Sequence, residues 1–155
     1  MDPFVLKWVH IVSSTLLFGA ALGSSLHCWV THRSQEVRAI ATVMRTVVLV
    51  DIWVVFTTGF IQPASGLLLV QQKGYSFWEP WLIVTYVLYT VVTVMWIIVG
   101  LLQIRCRDMA RAAPSWDSLP DRYHNSMRLW AELVVPSFAI ALVIFWLMVF
   151  KPDLW

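Results

Sequence analysis

The chain has 155 residues, of which 59% are hydrophobic and only 13% charged, with a formal net charge of +2. Its mean hydropathy is +0.72. A soluble domain could not cover that much apolar surface with so few charges, so the chain reads as an integral membrane protein with no nucleic-acid-binding patch.

Four segments are long enough to cross a hydrocarbon core, which takes roughly 20 residues at 1.5 Å each. They run approximately over residues 4–26, 46–70, 81–104 and 129–150. The expected fold is a single domain, residues 1–155: an all-α, antiparallel four-helix transmembrane bundle.

The first span opens at Pro3, where a missing N–H costs nothing. It carries Lys7 and His10 in its outer third. His10, Ser14, Leu17, Ala21, Ser24 and Cys28 recur at steps of four and three, so they share one helix face. The opposite face carries Gly19-x-x-x-Gly23, which lets a neighbouring helix approach and suggests a homodimer or larger membrane complex. Gly19-Ala20-Ala21 resembles a signal-cleavage site. The apolar run continues past it and Asp2 makes the leading segment acidic, so a retained span is expected.

A short polar connection follows, with Ser34 as the expected N-cap of the second helix. That helix enters the membrane near Arg45, and Asp51 lies about 9 Å deeper. Asp51, Val55, Thr58 and Gln62 share a face. Pro63 removes one intrahelical hydrogen bond and frees the carbonyl of Gly59, so a kink is expected. Residues 71–79 form an outer loop that turns at Lys73-Gly74, and Pro80 suits a first helical turn. The third helix carries a stripe of Tyr89, Thr93, Trp96, Gly100, Gln103 and Arg107, expected to face the bundle. It runs on to about Arg111. The fourth helix starts near Pro120 and aligns His124, Arg128, Glu132 and Pro136, with Arg128 and Glu132 spaced to pair.

All eight arginines fall at one end of the spans: Arg33, Arg38, Arg45, Arg105, Arg107, Arg111, Arg122 and Arg128. Lys7, Lys73 and Lys151 fall at the other. This bias puts the arginine end in the cytoplasm and both termini in the periplasm of a bacterial inner membrane. Trp8, Trp78, Trp81, Trp146 and Trp155 form an outer belt, and Trp29, Trp116 and Trp130 an inner one. Cys28 and Cys106 lie at the same end and read as reduced thiols.

Two polar groups stand out. The outer one is Lys7, His10, Gln62, Thr85, Tyr86 and Tyr89. His10 could ligate a haem iron, with Gln62 and Tyr89 as supporting partners. Equally, it could be a structural histidine satisfied by a tyrosine or glutamine. The inner one is Arg45, Asp51, Gln103, Arg128 and Glu132, with His27 and His124 at its edge. It reads as a buried ion-pair network, or as an anion pocket or proton route.

Several stretches resemble a bacterial family of small, four-span inner-membrane proteins with no assigned activity. They are Lys7-Trp8-Val9-His10-Ile11, Phe18-Gly19, Gly23-Ser24, Arg45, Asp51, Gln62-Pro63-Ala64-Ser65-Gly66, Leu102 to Asp108 and Phe150-Lys151-Pro152. Lys7-x-x-His10-Ile11 and the small residues after it are also similar to HemJ, the haem-containing protoporphyrinogen oxidase, and to CopD-type membrane domains. The HemJ resemblance implies that His10 is a ligand of haem b. The further lysine on which HemJ depends has no counterpart in the third span. The function expected is a b-type haem redox protein and possible membrane oxidoreductase. It would pass electrons between a porphyrinogen-like or quinol donor and the quinone pool. The alternatives are a non-catalytic accessory or scaffold subunit, and a copper or small-solute transporter.

Overall fold

The computed structural model describes residues 2–154. Trp155, assigned above to the outer belt, lies outside the described residues. Helix α1 spans Pro3–Arg33 and is capped by Asp2, whose carboxylate accepts from the Phe4 N–H at 2.8 Å. The second span is α2, Val37–Val50, then a π turn, Asp51–Val55, then α3, Phe56–Lys73. Helix α4 spans Pro80–Ala112 and α5 spans Asp121–Phe150, with a short 3-10 turn, Trp116–Ser118, between them. No strand occurs among the described residues. All four spans are long and apolar enough to cross a membrane.

The ends follow local chemistry. Gly74 closes α3 in the left-handed region at φ 71°, where a Cβ would be strained, and Pro80 opens α4 at its first turn. Glu36, rather than Ser34, occupies the N-cap of α2. Ser34 closes α1 instead, its hydroxyl donating to the Thr31 carbonyl at 2.7 Å. A serine in a tight connection has two helix ends within reach, and here the preceding one takes it.

The main apolar core lies at the arginine-rich end, around Ile40, Met44, Leu102, Cys106, Tyr123 and Met127. A smaller one at the far end joins Val70, Trp81, Leu82 and Leu147. Helix α4 packs mainly on α5, α2 on α4, and α3 on α1. Helices α1 and α5 touch lightly, through Phe18 set 5.4 Å from both Phe138 and Phe145. The second span thus changes partner along its length, and the π turn stands at the change. One extra residue in a turn rotates everything beyond it by roughly 100° relative to a continuous α-helix. Outward-facing Trp53, Phe56, Phe60, Val135 and Val149 present apolar surface to the bilayer.

Candidate functional site

Polar side chains meet inside the bundle at two levels. The level away from the arginine end centres on His10 of α1. Its Nδ1 lies 2.9 Å from the Ser65 hydroxyl and its Nε2 lies 3.1 Å from the Gln62 amide nitrogen. The Ser65 hydroxyl also reaches the Ile61 carbonyl at 2.7 Å and the Gln62 carbonyl at 3.1 Å. With its proton on either carbonyl it accepts from His10, which places the ring proton on Nδ1 and leaves Nε2 to accept from the Gln62 amide. The Gln62 oxygen accepts in turn from Ser13 at 2.6 Å. The ring lies against Gly66, where an added Cβ would sit 3.1 Å from Cε1. Gly66 is what admits the imidazole between α1 and α3.

Axial ligation of a haem needs a bare imidazole nitrogen. Here Gln62 holds the lone pair and Ser65 takes the proton, so the residues present do not fit that group in this arrangement. Their geometry is that of a histidine satisfied by a glutamine. Tyr89 is not part of the cluster. Its hydroxyl donates to the Gly59 carbonyl, the one freed by Pro63. Thr85 is buried and returns its hydroxyl to the Trp81 carbonyl of its own helix. Lys7 and Tyr86 face outward.

The level nearer the arginine end centres on Asp51, the first residue of the π turn. Its carboxyl faces the Gln103 amide of α4 and lies near Cys28 of α1. Both carboxyl oxygens are buried without a hydrogen-bond partner. The amide oxygen and nitrogen of Gln103, a residue only 1% exposed, are unpartnered too, and so is the Ser25 hydroxyl. Unpaired buried polar atoms are rare and each needs an explanation. The π turn does not supply one. Its own carbonyls at Val54 and Val55 are covered by the Thr58 hydroxyl, at 2.6 and 3.2 Å.

The expected ion-pair network does not assemble. Asp51 and Gln103 turn inward, but Arg45, Arg128 and Glu132 lie exposed on the bundle surface. Among the described residues no ion pair joins Arg45 or Arg128 to Asp51 or Glu132; the pair at this end is Arg107 with its neighbour Asp108, at 2.8 Å. Arg128 and Glu132 instead line an open cleft between α1 and α5 with Trp29, His32 and His124. His32 bonds the Tyr123 hydroxyl at 3.0 Å, and His27 is exposed. Cys28 and Cys106 are free thiols, as read from their position, and the structure buries both.

Three of the buried participants escape a reading of the sequence: Ser13, Ser25 and Ser65. Ser13 follows His10 by three residues and Ser65 follows Gln62 by three. That spacing marks a shared face, but serines are common on such faces and carry no signal alone.

Residues 4–152 match the family described as "Predicted integral membrane protein (DUF2269)". The chain belongs to this family. Comparison with curated proteins and with solved structures found no match. For a DUF2269 member, the family description and the four long apolar helices agree on an integral membrane protein, and chemistry has to be argued from the two buried clusters.

Proposed function

We propose that this DUF2269 protein is an ion-coupled membrane protein of the small-solute transporter kind, with Asp51 as the residue that carries charge inside the bilayer. The observation behind this reading is the Asp51 carboxyl: buried, unpartnered, on a π turn, and facing an equally unpartnered glutamine amide. Ionisable residues within spans mark ion and proton pathways, and π turns recur at functional points. The arginine bias supports a bacterial inner-membrane location with both termini periplasmic. The test is flux into vesicles carrying the purified protein, under imposed proton or sodium gradients. Flux above empty vesicles, lost in Asp51→Asn, is expected. No flux under either gradient overturns the reading.

A second reading keeps His10 as an axial ligand of haem b, in a redox protein linked to a porphyrinogen-like or quinol donor and the quinone pool. Its support is the Lys7-x-x-His10-Ile11 motif and the position of His10 inside the bundle. It requires Gln62 to release Nε2. Protein made with ample haem would then show a Soret band that His10→Ala removes; a colourless wild-type protein sinks it. An accessory role would use the Gly19/Gly23 face, where a Cβ would meet nothing within 4 Å.

A further inference from the structure

We infer that the ion held at Asp51 is a proton, and that the Gln103 amide serves both states of the carboxyl. The inference deepens the ion-coupled reading above and rests on it for its purpose. The identity of the ion rests on the donors at the site.

Three elements meet at this level. The π turn supplies the Asp51 carboxyl. Helix α4 supplies Gln103, whose amide faces the carboxyl, and Cys28 of α1 lies near enough to feel its charge. No cationic side chain is among them. Arg45 and Arg105 are exposed, and Arg107 is bound to Asp108. A permanent carboxylate held for structure would call for such a cation or for several donors already bonded to it. Among the described residues neither is found, since both carboxyl oxygens lack a hydrogen-bond partner.

A hard metal cation is a poor match for these groups. Calcium, for one, takes about six to eight oxygen ligands. The side chains here offer one carboxyl and one amide oxygen. The nearby thiol of Cys28 is a soft donor, unsuited to a hard ion. Among the described residues no three His, Cys, Asp or Glu side chains gather into a metal-holding group.

A proton asks for much less. The carboxylate takes it from hydronium: one O–H bond forms on the carboxyl, one O–H bond of the hydronium breaks, and neutral water is left. What the protein must supply is a partner that donates to the carboxylate and accepts from the acid. Gln103 carries both functions on one amide. Its N–H groups can face the carboxylate, and half a turn about its last bond brings the oxygen to the acid O–H. Both polar atoms of Gln103 are free of other partners, so the half-turn breaks no existing bond.

Infrared difference spectra of the wild-type protein in lipid, taken between base and acid, test this directly. The expected result is a carboxylic-acid C=O band that appears on acidification and is missing in Asp51→Asn. Gln103→Met, which removes donor and acceptor but keeps length, should shift that band. Circular dichroism checks that each variant is folded, and carbon-13 aspartate in the wild-type chain shows whether the band belongs to an aspartate, which the Asp51→Asn comparison then assigns to residue 51. Identical spectra for folded wild type and Asp51→Asn overturn the proton assignment. So does a spectral change produced by sodium in place of potassium at constant pH, and that result leaves the ion-coupled reading standing. A clear Asp51 band without any vesicle flux does the reverse: the proton site stands and the transport reading falls.

Discussion

At Gly66 a single hydrogen atom in place of a methyl group decides whether the His10 cluster can form. An alanine there would put a Cβ 3.1 Å from the ring edge, while the same change at Gly19 meets nothing within 4 Å. The imidazole cannot retreat freely, because both of its nitrogens are bonded to α3. Gly66→Ala should therefore cost about 1–3 kcal/mol, the usual range for overpacking. Gly19→Ala should stay within about 0.5 kcal/mol, as surface changes do. Denaturant unfolding of the two variants in the same detergent compares them. Equal costs would mean that the ring does not pack on Gly66. The sequence made His10 and Gln62 conspicuous because polar residues in a span are few. It did not reveal that they bond to each other, since that depends on the register between α1 and α3.

The elements show which irregularities can be read from a sequence. Pro63 stands inside an uninterrupted α3, and the carbonyl it frees was legible as that of Gly59, because this follows from covalent geometry. Tyr89 stood in an inward stripe of α4, and the structure joins the two. The π turn at Asp51–Val55 had no such marker. An extra residue in one turn changes no composition; it is selected by how the halves of the span pack on α4 and α1. The Tyr89 bond gives a double-mutant test. Tyr89→Phe leaves the Gly59 carbonyl without its donor and should cost about 1–3 kcal/mol. Pro63→Ala restores an N–H that can reach the same carbonyl along the helix. In that background the cost of Tyr89→Phe should shrink to less than half. Additive costs in the cycle would show that the hydroxyl works elsewhere.

For the whole molecule, the limit of the sequence is the solvent. Lipid is as apolar as the bundle interior, so hydropathy fixes the spans but not which face of each turns inward. Arg128 and Glu132 illustrate this: four residues apart on α5, they were expected inside and lie outside. Replacing both by alanine should cost no more than about 1 kcal/mol in thermal or denaturant unfolding. A loss of several kcal/mol would put them back in the interior. Long-range order is better determined, because the connections are short and the spans alternate. The ends of α1 and α4 and the starts of α2 and α5 share the arginine-rich end, while Lys73 lies at the other. Thiol labelling in cells can place these ends, and the native cysteines will not interfere, each being only 1% exposed. Lys73→Cys sits at the exposed C-terminal end of α3 and Ser115→Cys lies in the exposed connection before α5. With the arginine end in the cytoplasm, a membrane-impermeant maleimide added to intact cells should modify residue 73 and spare residue 115. Permeabilised cells should label both. Labelling of residue 115 alone in intact cells would invert the topology, and with it the side from which a proton reaches Asp51.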